Sequence, residues 1–293
     1  MKLYTVVVTA MLLCISGARV GAESPNILLI TSEDHSPDIG CYGDKTVPTP
    51  HLDALAEQGV LFERAYVPLS VCSPSRACIF TGLYPHQNGQ LGLATHGYHT
   101  YQAIPNLYQI MKAGGYRTGM IGKLHVLPEQ AFPIDFWPIK GSNFCKKDVA
   151  VYADYAAKFF AAGEEPFFLM VNYPDAHTPF QSKPVDGLPT HWVTPDQMKV
   201  PPYVGVDTPR LRQSIANYYN CLSRLDACMG MLMKALDKSG KRENTLVIWL
   251  SDHGSQISRG KVTCYENGLR VPMIIDWPGI DVPHREKRMV SSL

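Results

Sequence analysis

Strand-like runs alternate with segments of helical period, and this alternation constrains the fold more than any other feature of the chain. Residues 26–31 form a continuous apolar run, as expected of a strand buried on both faces. Residues 116–121, 166–172 and 246–250 read as further strands, and 271–275 is another candidate. Helix signals lie between them. Thr49 caps a helix with Pro50 in its first turn, and Gly59 ends it. A second helix starts near Ser73-Pro74 and stops at Gly82, and a third runs from near Pro105 to Gly114-Gly115. Residues 148–162 read as a fourth. From 210 to 238, Leu211, Ile215, Leu222, Leu225, Met229, Leu232 and Leu236 recur at three- and four-residue steps. Such a pattern predicts an α/β domain with a largely parallel sheet flanked by helices. The Pro-rich, aperiodic stretch from 173 to 210 reads as a long loop of the kind that usually carries function or is disordered.

Composition narrows the function classes. The 293 residues are 45% hydrophobic and 18% charged, with a net charge of +1. That apolar content excludes a disordered polyelectrolyte. The near-zero charge argues against a nucleic-acid partner, which would call for a basic excess. At the N-terminus, Lys2 precedes an almost wholly apolar stretch, residues 6–15, and Val20-Gly21-Ala22 offers small residues where a signal peptidase reads. We expect residues 1–22 to be a cleaved signal peptide, because the apolar run is shorter than the ~20 residues a span requires. An uncleaved anchor is the alternative. No later run is long enough to cross a bilayer, so no stable membrane span is expected. Export implies a secreted, periplasmic or lysosome-like destination, with 23–293 as the working domain. Of the eight cysteines, Cys14 lies in the leader. The odd remainder suggests one thiol with a separate task. Cys221 and Cys228 lie about 10 Å apart along one expected helix, at ~1.5 Å rise per residue, too far to bond to each other.

Ligands of open α/β sheets bind beyond the carboxyl ends of the strands. Glu33 and Asp34 follow the first strand, Lys123 and His125 the next, Asp175 and His177 the third, and Asp252 and His253 the fourth. Polar loops alone put Asp and His after strands, but four such groups at one sheet edge point to a site. The sharpest local motif is Cys72-Ser73-Pro74-Ser75-Arg76, with Cys72 expected just before a helix. Free N–H groups and the helix dipole there favour an anion, and the same setting lowers a thiol pKa. Read this way, Cys72 is a nucleophile aimed at a phosphate- or sulfate-like group. The bland alternative is a buried Cys beside a turn.

Cys72-Ser73-Pro74-Ser75-Arg76, continued by Ala77-Cys78-Ile79-Phe80-Thr81-Gly82, resembles the sulfatase signature. Similarity extends to Thr49-Pro50-His51-Leu52-Asp53, to Gly122-Lys123-Leu124-His125, to Ser251-Asp252-His253-Gly254 and to Lys261 ahead of Tyr265-Glu266-Asn267-Gly268. Tyr84-Pro85-His86-Gln87-Asn88-Gly89 and Pro133-Ile134-Asp135-Phe136 look most like the heparan N-sulfatase (sulfamidase) branch. The resemblance implies an alkaline-phosphatase-like fold with a further C-terminal subdomain beyond this chain. It implies that Cys72 is oxidised to formylglycine by a dedicated maturation enzyme, and that the hydrated aldehyde attacks sulfur and later expels sulfate. It also implies a divalent cation, calcium first with magnesium or manganese as alternatives, held by Glu33, Asp34, Asp252, His253 and the Cys72-derived nucleophile. Hard oxygen donors suit calcium or magnesium, whereas the imidazole admits a transition ion.

The family more often carries Asp where Glu33 stands, which leaves open whether Glu33 is a ligand or an acid beside Asp34. By the same resemblance Arg76 orients Cys72, and Lys123 and Lys261 neutralise sulfate oxygens. His125 takes a proton from the second hydroxyl, and His177 donates one to the leaving group. The expected substrate is a sulfated saccharide or another small sulfated molecule. Two alternatives stand beside it: a phosphate or phosphonate ester hydrolase with the same site, and an incomplete chain that binds sulfated glycans without turnover.

Overall fold

The computed structural model describes residues 24–102, 104–141, 148–278 and 284–293, and the expected leader lies outside them. In chain order the elements are β1 (Asn26–Ser32), α1 (Pro50–Gln58), β2 (Val60–Tyr66), α2 (Cys72–Thr81), α3 (Pro85–Asn88), α4 (Leu107–Ala113), β3 (Arg117–Ile121) and α5 (Val151–Phe160). They continue with β4 (Phe167–Asn172), α6 (Pro209–Lys238), β5 (Thr245–Ser251), α7 (Glu266–Leu269), β6 (Arg270–Val271), β7 (Met273–Asp276) and β8 (His284–Ser291).

All eight strands form one sheet. Its functional half is the parallel set β3-β4-β1-β5. The other half is mixed. β7 runs antiparallel to β5, β2 runs antiparallel to β6 and β7, and β8 lies parallel to β2. Alternation along β1 divides the core. Leu28 and Ile30 join Leu169, Val171, Val247 and Trp249 under α1, α5 and α6. Leu29 faces the opposite way, with Met120, Phe168 and Met170, under α2 and α4. α6 has 30 residues, about 45 Å at the helical rise.

The parallel strands and long helices fall where the sequence puts them, and three details differ. Neither β2 nor β8 was foreseen. Glu63 and Arg64 interrupt the apolar pattern of β2, whose partners lie about two hundred residues away in β6–β8, and β8 itself is mostly polar and charged. The expected strand at 271–275 is broken in two at Pro272, which has no N–H for the ladder. Thr49 stands at the N-cap position of α1, but its side chain does not cap the helix. Its hydroxyl accepts the Gly40 N–H at 2.9 Å and donates to Asp53 at 3.2 Å. The cap comes from α6 instead, where Asp226 Oδ1 accepts the His51 and Leu52 N–H groups at 3.0 and 2.8 Å.

Among the described residues, Cys41, Cys72, Cys78, Cys228 and Cys264 carry no disulfide. The long loop holds its course by burying Leu188, Val193 and Met198 in the same core as α6.

Candidate active site

Strand register brings the site together. Ser32 of β1 pairs with Ser251 of β5, Thr31 with Asn172 of β4, and Ile121 of β3 with Val171. Glu33-Asp34, Asp252-His253, the segment from Lys123 to His125 and the segment from Asp175 to His177 therefore leave the sheet at one edge. Asp34 and His125 hold φ of 51° and 57°. Keeping non-glycine residues in the left-handed region costs on the order of 1–3 kcal/mol, and such residues cluster at functional sites.

Cys72 is the first residue of α2 rather than the one before it, and it is buried. Its Sγ lies 3.2 Å from His253 Nε2. Burial alone would push the Cys72 thiol up. Hydrogen bonds from His125, His177 and His253, with the His253 charge, hold it well below the ordinary thiol range. One turn along α2, the buried Arg76 guanidinium donates from Nε to Asp252 Oδ2 at 3.1 Å and from Nη1 to the Lys123 carbonyl at 3.0 Å. It thereby ties the nucleophile helix to two strand ends. The Ser75 hydroxyl donates to the Asp252 carbonyl and fixes the same junction.

Asp34, Cys72, Asp252 and His253 each offer a donor atom, and these atoms lie within 4.8 Å of one another. His253 Nδ1 sits 2.9 Å from the Gly254 carbonyl, which only accepts, so Nδ1 carries the proton. Nε2 then faces Asp34 Oδ1 at 3.1 Å and Asp252 Oδ1 at 3.8 Å. Burial would lower the His253 imidazole, but Asp252 and Asp34 outweigh it and push it up to about 9. Burial raises the Asp34 carboxyl against the opposing pull of His253 and Lys261. In Asp252 the charges of His253 and Arg76 win over burial and hold the carboxyl below its usual value. Two buried carboxylates and an oriented imidazole nitrogen make a donor set that fits a divalent cation.

Glu33 stands apart from that set. Its Oε2 accepts from Lys123 Nζ at 2.8 Å, and its Oε1 faces Arg76 Nη2 at 3.5 Å. Lys261 Nζ reaches both Asp34 oxygens at 3.0 and 3.1 Å. The loop carrying Lys261 closes because position 260 is glycine: a Cβ there would lie 1.9 Å from the Ser255 carbonyl oxygen. His177 Nδ1 is bound to the Thr178 carbonyl, and its Nε2 lies 3.9 Å from Asp34 Oδ2. Burial works against protonating His177, but its contacts with Cys72 and Asp34 raise it. His125 Nδ1 is buried and has no hydrogen-bond partner among the described residues.

All the residues singled out in the sequence thus meet at one edge, with Glu33 set on the two cations. Sequence reasoning missed Arg224. It grips the Asp175 carboxylate through Nε at 2.8 Å and through Nη2, and both side chains are buried. The available signal was a charged residue between Leu222 and Leu225 on the apolar stripe of α6. Asn172 was missed as well; its Oδ1 accepts the Lys123 N–H at 3.2 Å.

Human N-sulphoglucosamine sulphohydrolase is 33% identical over 287 residues, covering 88% of this chain and 56% of that protein. Human arylsulfatase A is 30% identical, covering 97% of this chain and 65% of that protein. The chain thus spans little more than half the length of such relatives. The crystal structure of Ps i-CgsB superposes with a TM-score of 0.75 at 26% identity, covering 92% of this chain and 70% of that one. A phosphonate monoester hydrolase from Silicibacter pomeroyi shares the fold, with a TM-score of 0.76 at 19% identity, 92% of this chain and 71% of that one. The sulfatase family model matches residues 25–293, the whole of the strand-end constellation included, and the chain belongs to the sulfatase family.

Proposed function

We propose that this chain is the catalytic part of an exported sulfatase that hydrolyses sulfate esters or sulfamates on a glycan such as a heparan-type saccharide. The observation that carries the reading is Cys72 at the start of α2, 3.2 Å from His253 and clustered with Asp34 and Asp252. The substrate class is supported by similarity to N-sulphoglucosamine sulphohydrolase. Export rests on the leader pattern of residues 1–22. Among the described residues no helix is long and apolar enough to cross a membrane.

In this reading Asp34, Asp252 and His253 hold a divalent cation, calcium first, and Cys72 is converted to formylglycine by a maturation enzyme during export. The cation supplies charge for a sulfate oxygen, and the hydrated aldehyde supplies a nucleophile whose second hydroxyl allows sulfate to be released. The chain's own residues do the rest. Arg76 anchors the nucleophile helix to Asp252. Lys123, bonded to Glu33, and Lys261, bonded to Asp34, offset charge that develops on the transferred group. His125 accepts a proton beside position 72. His177, raised by Cys72 and Asp34, holds a proton for the leaving oxygen or nitrogen.

The test is mass spectrometry across Cys72, on protein exported with its leader, together with aldehyde-specific labelling. Conversion exchanges sulfur and two hydrogens for one oxygen. Rates on an aryl sulfate and an aryl phosphonate ester are measured side by side. An aldehyde at position 72 with faster sulfate cleavage supports the proposal. An unmodified thiol from a competent host, or faster phosphonate cleavage, overturns it.

A further inference from the structure

The segment from 90 to 101 is built more firmly than its polar, Gly-containing sequence suggests. The buried Gln90 side chain donates to the Gly92 and Tyr98 carbonyls at 2.7 and 2.9 Å and so closes the loop on itself. Asn88, also buried, accepts the Gln90 N–H through Oδ1 at 2.9 Å, and its carbonyl accepts the Tyr101 N–H at 2.9 Å. Two tethers bind the loop to the active site. The Ala94 N–H donates to Ser73 Oγ at 2.9 Å, and Ser73 directly follows Cys72. Thr100 donates its N–H and its hydroxyl to the Leu127 carbonyl at 2.8 and 3.0 Å, two residues after His125.

Between these tethers, Thr95 to His99 are all exposed, and Tyr98 keeps 48% of its surface accessible. Its ring lies against Gly92, where a Cβ would come within 2.6 Å of two ring carbons. The ring is therefore packed against the Gly92 backbone while much of its surface remains open to solvent, on a loop held by the hydrogen bonds above. A flat apolar ring with a wet hydroxyl edge suits a pyranose, which has apolar C–H faces and a polar rim. The exposed imidazoles of His96 and His99 add donors on the same loop.

We propose that residues 91–99 form a saccharide subsite at the mouth of the active site, with Tyr98 stacking on the sugar next to the one that carries the sulfate. This rests on the sulfatase reading for its reaction, but the loop is testable without turnover.

The experiment compares wild type, Tyr98→Ala, Tyr98→Phe and Gly92→Ala on p-nitrophenyl sulfate and on a heparin-derived tetrasaccharide. The same panel is assayed for tetrasaccharide binding by saturation-transfer NMR. Loss of one aromatic stacking contact corresponds to roughly a tenfold rise in KM for the tetrasaccharide in Tyr98→Ala. Gly92→Ala, which displaces the ring, follows Tyr98→Ala, Tyr98→Phe follows wild type, and rates on p-nitrophenyl sulfate stay unchanged. An unaltered tetrasaccharide KM in Tyr98→Ala, or an equal loss on both substrates, overturns the subsite. If wild type turns over neither substrate, the sulfatase reading fails, and the NMR decides the loop alone. Saturation transfer that disappears in Tyr98→Ala supports the subsite, and transfer that persists overturns it.

Discussion

Lys123 Nζ lies 2.8 Å from Glu33 Oε2, so the acid that opens the first strand end is engaged by an ammonium group. Asp34, one residue on, joins the donor cluster with Asp252 and His253. The Glu33 carboxylate lies against Lys123 and Arg76 instead. Removing an outer partner of a metal site costs roughly 10–100-fold in affinity. Glu33→Gln is expected to weaken calcium binding within or below that range, and Asp34→Asn and Asp252→Asn to weaken it further. Isothermal titration of the three variants orders them. Equal loss in Glu33→Gln and Asp34→Asn would make Glu33 a ligand.

Arg224 and Asp175 form a buried two-point pair that secures the turn bearing His177. The same turn accepts the Glu33 N–H through the Asp175 carbonyl at 2.9 Å. Breaking a buried pair from one side typically costs about 3–5 kcal/mol, so Arg224→Gln should lower Tm sharply. Arg224→Lys restores charge without the fork and should recover only part of it. Arg224→Gln should also slow an alkyl sulfate or sulfamate more than p-nitrophenyl sulfate, whose leaving group needs no acid. Equal slowing of both would assign the pair to stability alone.

The parallel half of the sheet was readable because β1, β4 and β5 are mostly buried and carry unbroken apolar runs. Reactive residues directly after those strands exposed the site in the same way. β2 hid behind Glu63 and Arg64, because its stability comes from partners distant in the chain. The Glu33–Lys123 contact was also out of reach: it joins two side chains distant in the chain, and periodicity does not register such a pairing. The tethers of residues 90–101 are side-chain to backbone hydrogen bonds, which leave no repeat in the sequence.

Asp226 makes stability depend on mild acid. Burial pushes its carboxyl up to about 6 against an ordinary 3.8, although the Leu52 and His51 N–H groups and the His51 charge pull it down. A folded pKa above the unfolded one means that the native state binds more protons between about 4 and 6. The contribution is full below that window and is lost as pH rises through about 6. Asp226→Asn keeps the carbonyl oxygen that caps α1 and removes the titration. Urea midpoints measured from pH 4 to 7 should fall with pH more steeply in wild type than in Asp226→Asn. Parallel curves would show that Asp226 titrates alike in both states.

The imidazole in the donor cluster bears on ion choice. A ligand that binds only the native state stabilises it by about 2.7 kcal/mol at a hundred times its Kd. Calcium prefers oxygen donors, whereas manganese and later ions accept an imidazole nitrogen. His253 offers Nε2 because its Nδ1 proton is held by the Gly254 carbonyl. His253→Asn replaces that nitrogen with an amide oxygen. We expect the Tm rise produced by manganese, relative to that produced by calcium, to be larger in wild type than in His253→Asn. Chelation should abolish both rises. An unchanged ratio of the two shifts would mean that His253 stays outside the coordination sphere and acts on Asp34 and Asp252 through its charge.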